Sequence, residues 1–259
     1  MFGLERKAEI INILERMGKI DVNSLSKRFG ACKETIRRDL RELEKEGILK
    51  RTHGGAVFNV STPKTQLELP VTVREIQRYE EKLIICKRAA SMIADGDAIF
   101  VDNSSTTIYL LRYIPKDIHV CIITNSLKLL LEAVQVQNPN LQFICLGGIF
   151  KLSNMSFSGT IPQKIAKDYY PSKSFLSCAS INEQQMLTDS SAAEVDTKRL
   201  MIERSQNVII LADYTKFTTL GQIFLADFSA IDFIITDNKT DVSSLDYLKK
   251  YKTELLVSE

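Results

Sequence analysis

Apolar side chains at Leu4, Ala8, Ile11, Leu14 and Met17 recur at intervals of three and four, the period of one helical face, and Gly18 interrupts the run. Leu25 and Phe29 repeat that spacing in a shorter second helix, for which Asn23 or Ser24 is the expected cap. Beyond Gly30 a third helix is predicted from near Cys32, with Ile36, Leu40 and Leu43 turned inward. That leaves Lys33, Arg37 and Arg41 as an i, i+4, i+8 stripe on another face, with Arg38 beside it. Gly47 is expected to close this helix. Two β-prone stretches, residues 48–51 and 56–60, flank His53-Gly54-Gly55 and predict a hairpin.

The pattern then changes. Residues 59–74 carry Pro63 and Pro70 among polar neighbours and show neither period, as a connector would. A helix is predicted over residues 75–94, with Leu83, Lys87, Ala90 and Ile93 one or two turns apart and Gly96 ending it. Short apolar runs follow at 98–101, 118–124, 141–146, 174–179, 208–212 and 233–236, most of them separated by helix-like stretches. This alternation predicts a largely parallel sheet covered on both faces, with ligands bound beyond the carboxyl ends of its strands.

Composition narrows the possibilities. At 259 residues, 44% hydrophobic and 25% charged, the chain has the make-up of a globular protein of two domains. No apolar run approaches the ~18 residues of a membrane span, and the opening decapeptide lacks the apolar core of a secretion signal, so a cytoplasmic location is expected. The five cysteines never form a CxxC pair, so neither disulfides nor structural zinc are expected. The net charge of +2 is unevenly spread: residues 1–60 hold 13 basic and 9 acidic side chains, the remainder 21 and 23. A small basic module on a weakly acidic body is the distribution that phosphate-backbone contact requires.

Two helices joined by a tight turn, the second bearing arginines, are the means by which a helix-turn-helix enters the major groove. An arginine fork donates two parallel hydrogen bonds to guanine O6 and N7 or to a phosphate, which lysine cannot. The competing reading is a solvated face, since Glu34, Asp39, Glu42, Glu44 and Glu46 share the helix and Glu34 could pair with Arg38. The adjoining hairpin, a wing with Lys50, Arg51 and His53 beside a Gly-Gly tip, favours nucleic acid.

In the larger part, Asp102, Asn103, Ser104, Ser105, Thr106 and Thr107 follow one strand and lead into a helix predicted over 108–113. Hydroxyls and free amides at such a place suit an anion, although an ordinary helix cap has the same composition. Thr124-Asn125-Ser126, Gly147-Gly148 and Asp213 with Lys216 end three further strands. Lys216 suits a phosphate and Asp102 or Asp213 a sugar hydroxyl; turns, caps and solvated charges remain the alternatives.

The first segment resembles the DeoR-type family of bacterial repressors through TIRRDL at 35–40, LEKEGIL at 43–49 and RTHGGAV at 51–57. The resemblance implies that Thr35, Arg37 and Arg38 belong to the DNA-reading helix and Arg51, His53 and Gly54 to the wing. It continues through TNSL at 124–127, the diglycine at 147–148, LTD at 187–189, Glu194 with Lys198, and LADYTKF at 211–217. It implies a sensor domain that looks like ribose-phosphate isomerases without their catalytic function and accepts sugar phosphates. Carried over by position, its lining comprises Asp102, Ser105, Thr106, Thr107, Thr124, Asn125, Gly148, Lys198 and Lys216. The chain departs from the family at Cys32, where a serine is usual, at Ser104 and Ser105, where a glycine and a threonine are usual, and at Ala179-Ser180, where an Asp-Gly pair is usual.

The expectation is therefore an α/β protein, with a winged helix-turn-helix over residues 1–58, a linker over 59–74 and a mostly parallel α/β sensor domain over 75–259. Lys33, Thr35, Arg37, Arg38, Arg41, Arg51, His53 and Gly54 are the candidates for operator DNA. Asp102, Ser104, Ser105, Thr106, Thr107, Thr124, Asn125, Gly147, Gly148, Lys198, Asp213 and Lys216 are those for a phosphorylated sugar effector. No catalytic residue, cofactor, metal or membrane partner is expected, and a homodimer or homotetramer is. The rivals are an isomerase with Asp102 or Asp213 as base and Lys216 as clamp, and a DNA-binding protein without an effector.

Overall fold

A computed structural model describes residues 3–45, 48–58 and 71–259. They fall into two compact units, residues 1–79 and 80–259. The expected end of the third helix at Gly47 and most of the expected connector lie outside the described residues.

In the first unit, α1 (Gly3–Met17), α2 (Val22–Phe29) and α3 (Lys33–Lys45) enclose a core of Ile10, Ile11, Leu14, Leu25, Ile36, Leu40 and Leu43, each 3% exposed or less. Met17, expected to face inward, is 70% exposed. The buried face of α1 is centred on Ile10, Ile11, Ile13 and Leu14 and has turned away by the last residue before Gly18. The cap of α2 is Asp21 rather than Asn23 or Ser24: its carboxylate accepts from the Ser24 amide at 2.9 Å, so the helix starts earlier.

Three strands form the wing, one more than the sequence predicts. β1 (Lys19–Asp21), β2 (Leu49–Thr52) and β3 (Gly55–Phe58) are arranged in the order β1-β3-β2. With Ile20 as its one buried residue, β1 has too little apolar pattern to be visible. It also explains Gly55, where a Cβ would lie 2.0 Å from the Ile20 carbonyl oxygen. Gly54, at φ +96, supplies the turn itself. A single turn, α4 (Val71–Arg74), precedes Ile76, which is buried in this unit's core.

The predicted helix over 75–94 is shorter, α5 (Tyr79–Ala90), and presents a different face. Glu81, Lys82, Ile85, Cys86, Ala89 and Ala90 are buried, whereas Leu83 is half-buried and Lys87 exposed. Each apolar run expected as a strand forms one: β4 (Ala98–Val101), β5 (Val120–Thr124), β6 (Leu141–Cys145), β9 (Lys173–Leu176), β12 (Asn207–Leu211) and β14 (Phe233–Asp237). With β15 (Glu254–Ser258) they make a seven-stranded, all-parallel sheet in the order β15-β14-β12-β9-β4-β5-β6.

Shorter strands decorate this sheet and were not anticipated. β7 (Ile149–Lys151) and β8 (Ser156–Ser158) form a hairpin, and β10 (Ser180–Asn182), β11 (Met186–Asp189) and β13 (Ile223–Ala226) an antiparallel sheet. The remaining α-helices are α6 (Leu127–Val136), α7 (Thr160–Ala166) and α8 (Ala192–Arg204). From β4 the chain adds β5 and β6 on one side, whereas β9 and β12 lie on the other. The order therefore reverses between β4 and β9, and a parallel sheet opens a crevice at the carboxyl ends of the strands where it reverses.

Candidate nucleic-acid interface and strand-end site

On α3 the inward positions Ile36, Leu40 and Leu43 fix the helix against the core and leave Lys33, Glu34, Arg37, Arg38 and Arg41 exposed. Glu34 binds the Arg41 guanidinium and lies 3.6 Å from that of Arg37; Arg41 Nε also donates to the Arg37 carbonyl at 3.3 Å. The pairing expected between Glu34 and Arg38 is thus made with Arg37 and Arg41 instead. Asp39, expected on the solvated face, is 2% exposed and receives Arg6 Nε at 2.5 Å and Nη2 at 3.2 Å. One carboxylate is thereby withdrawn from the arginine-bearing surface.

The predicted DNA residues gather beside two clefts. Arg37, Arg51, His53 and Gly54 line one of about 350 Å³ between α3 and the wing. Thr35, Arg38 and Arg41, with Cys32, line another of about 360 Å³ along α3. Lys33 is exposed and lines neither. Glu44 ties the two parts together by accepting from the Arg51 amide at 2.8 Å. Cys32, at the helix start where a serine is usual in the family, has its Sγ 3.1 Å from Thr35 Oγ1, and this bond lowers the thiol pKa.

The second site lies at the reversal in strand order. Asp102, directly after β4, is fully buried; its Oδ1 accepts from the Ser104 amide at 3.0 Å and Thr107 Oγ1 at 2.8 Å, its Oδ2 from the Ser177 amide at 3.0 Å. Ser177 directly follows β9, so this carboxylate stitches the two sides of the crevice. Lys198, from α8, reaches the same place: its Nζ is 3.1 Å from Asp102 Oδ2 and donates to Asp189 Oδ2 at 2.6 Å and the Ser177 carbonyl at 2.9 Å. Burial opposes the lysine's charge, but the carboxylates of Asp189 and Asp102 outweigh it and raise its pKa.

Around this ion cluster, Lys82 of α5 is 3% exposed and donates to Ser105 Oγ at 3.1 Å. Asp213 is 2% exposed and accepts from the Thr215 amide at 3.0 Å. Burial resists its ionisation, yet Lys216 and then Lys82 hold its pKa below the usual range. Glu194 is buried with Asn154 Nδ2 at 2.9 Å and Ser156 Oγ at 2.7 Å, both from the β7–β8 hairpin. Burial again opposes the charge, and hydrogen bonds from Asn154, Asn103 and Ser156 lower its pKa.

Several predicted groups have internal duties. The helix after Ser105 is a short 3₁₀ segment, Thr107–Tyr113, and Thr106 makes no side-chain capping bond. The Ser104 amide is engaged by Asp102 and the Thr107 amide by Ser104 Oγ at 3.2 Å, so neither is left open for an anion. Thr124 Oγ1 accepts from the Ser126 amide at 3.0 Å. At Gly148, φ +117, a Cβ would come within 2.7 Å of both the Ser158 carbonyl oxygen and the Pro162 ring. Its lack of a side chain admits the hairpin and α7, with Gly147 in the turn before it.

Lys82, Asp189, Glu194 and Asn103 complete the cluster without having been picked out as ligand residues. A signal existed for Lys82, which is three and four residues before the buried Ile85 and Cys86 and so stands on the apolar face of α5. A charge at such a position requires a polar partner inside. Among the described residues no group of three or more His, Cys, Asp or Glu is placed to hold a metal, and no helix is long and apolar enough to cross a membrane.

Residues 6–62 match the DeoR-like helix-turn-helix domain and residues 77–238 the DeoR C-terminal sensor domain. The chain is similar to the HTH-type transcriptional regulator YulB of Bacillus subtilis, at 35% identity over 98% of this chain and 96% of that protein. It is also similar to the L-fucose operon activator of Haemophilus influenzae, at 32% identity over 93% of each. Among solved structures there is a partial likeness to ribose 5-phosphate isomerase A from Methanocaldococcus jannaschii, with TM-score 0.41 and 16% identity over 54% of this chain and 55% of that one. The relatives that match nearly the whole chain are named as transcriptional regulators, which favours regulation over the isomerase reading. The chain belongs to the DeoR family of transcriptional regulators.

Proposed function

We propose that this regulator represses an operon of carbohydrate metabolism, holding operator DNA with Arg37, Arg38 and Arg41 and the wing residues Arg51, His53 and Gly54, and yielding when a phosphorylated sugar enters the strand-end crevice. The observation that carries the effector reading is the burial of Lys82 and Lys198 at one strand-end crevice lined by hydroxyl and amide groups, with Lys216 close enough to Asp213 to hold its pKa down. Lysine charge in a dehydrated setting, beside Asp213 and Asp102 as hydroxyl acceptors, matches an anion joined to a polyol. Lys82 joins the predicted lining, and Lys216 is its half-buried cation.

On the DNA side, removal of Asp39 from the surface supports the reading, because the exposed face keeps its arginine forks with one fewer repelling carboxylate. Helix-turn-helix readers pair on palindromic sites, so the functional unit is a homodimer or homotetramer acting where the chromosome lies. The family resembled is one of repressors, whereas the L-fucose relative bears the name of an activator, so the sign of regulation belongs in the test.

Fluorescence anisotropy on duplexes from the region upstream of the chain's own and neighbouring genes, with and without a panel of sugar phosphates, tests the reading. The expected result is tight binding at low salt, relieved by one phosphorylated sugar, and higher transcription from that promoter in a deletion strain. Lys216→Ala is expected to bind DNA as the parent does and to resist release. Sugar phosphates that leave every duplex bound would overturn the effector half of the proposal.

A further inference from the structure

The crevice contains two polar atoms that the fold leaves unused. Asn103 and Asn125 are 2% and 1% exposed, and the Oδ1 atom of each is buried with no hydrogen-bond partner among the described residues. They stand on neighbouring strands: Val101 pairs with Thr124 in the β4–β5 register, so both asparagines emerge from the carboxyl end of that pair.

Their amide orientations follow from their partners. Asn103 donates to the Glu194 carboxylate, and Asn125 Nδ2 donates to the Phe157 carbonyl oxygen at 3.0 Å. Turning either amide over would set one acceptor oxygen against another, so the nitrogens are held on the side of the β7–β8 hairpin and of Glu194. The planar amide then directs each oxygen away from that side. Folding normally pairs buried acceptors or hydrates them, and two orphans on adjacent strand ends call for donors supplied from outside.

We propose that Asn103 and Asn125 are a hydroxyl-reading pair: the effector is polyhydroxylated, and two of its hydroxyl groups donate to these two oxygens while its anionic group faces the lysines. The inference rests on the sugar-phosphate reading above and adds which atoms distinguish a sugar from any other phosphate ester. The oxygens require a donor, and the cluster, where Asp102, Asp189, Asp213 and Glu194 already balance Lys82, Lys198 and Lys216, requires one that brings no further charge. A neutral O–H donor on an anionic ligand satisfies both requirements. Recognition of this kind is selective, since an analogue lacking the hydroxyl leaves the buried acceptor unpaired.

The test compares matched ligands on the full-length protein by thermal shift and calorimetry. A panel of three- to seven-carbon sugar and polyol phosphates identifies the strongest binder, which is then set against the alkyl phosphate of equal carbon number and against inorganic phosphate. The expected result is a preference of at least tenfold for the hydroxylated member, and loss of most of that preference in Asn103→Leu and in Asn125→Leu. Equal affinity for the hydroxylated and alkyl phosphates overturns the hydroxyl-reading pair but leaves the phosphate site standing. No binding by any member overturns both. A retained preference in both leucine variants also overturns the pair, and if those variants fail to fold, the matched ligands on the parent protein still decide.

Discussion

The arginine-bearing helix α3 and the crevice at the β4–β9 reversal are both rich in paired charge, yet they use it in opposite ways. On α3 the guanidinium groups of Arg37 and Arg41 remain about half exposed and lean on a single exposed carboxylate, Glu34. In the crevice Lys198 is 5% exposed and locked between Asp102 and Asp189. Exposed pairs of the first kind contribute about 0–1 kcal/mol and are screened by salt, so they exchange readily for phosphates and bases. Buried pairs of the second kind are costly to break, because loss of one partner strands a charge out of water. Hydrated, exchangeable charge suits a surface that must slide and select, whereas dehydrated, saturated charge suits a rigid frame into which a small molecule fits.

The contrast is most exposed to failure at Lys198. Lys198→Met leaves Asp102 and Asp189 without their cation and is expected to destabilise the protein by about 3–5 kcal/mol in urea denaturation; a parent-like midpoint would mean that the cluster does not frame the crevice. Next in size are Arg37→Ala and Arg38→Ala, each expected to weaken operator affinity by about 1–3 kcal/mol and to narrow the gap to non-specific DNA. Unchanged titrations for both would remove α3 from the groove. The same titrations should fall steeply with salt, as release of counterions from several phosphates requires.

A smaller effect is expected at Glu194. Its lowered pKa means that its contribution is present above the ordinary carboxyl range and lost as pH falls through the depressed value. Glu194→Gln should therefore cost about 1–2 kcal/mol at neutral pH and flatten the acid limb of a stability-against-pH curve. The smallest effect belongs to Glu34→Gln, which should change stability by about 0–1 kcal/mol while tightening DNA binding at low salt, since a carboxylate leaves the phosphate-facing surface. A large loss of stability there would erase the distinction between the two regions.

Much of this was legible in the chain because it rests on local periodicity. The inward Ile36, Leu40 and Leu43 set the exposed face of α3, and six apolar runs became six parallel strands. What escaped notice depends on partners distant in sequence. Asp39 reads as a surface acid until Arg6, 33 residues earlier, is placed against it. Asp189 and Glu194 acquire meaning through Lys198 and through Asn154, 40 residues before Glu194 in the sequence. The six parallel strands were visible as apolar runs of four to seven residues, whereas β1, β8 and β10, at three residues each, carry almost no apolar pattern of their own. The loop after β4 was readable as polar but not as self-bonded, because composition cannot tell a hydroxyl reserved for Asp102 from one offered to a ligand.

The two-pronged grip of Arg6 on Asp39 joins α1 to α3 through two largely buried groups. A helix held in this manner resists rolling about its own long axis, since any roll would pull a fork from its carboxylate. If α3 reads DNA as proposed, adjustment from one base sequence to another must then come from the reach of the long arginine side chains, while the rod that carries them keeps its bearing.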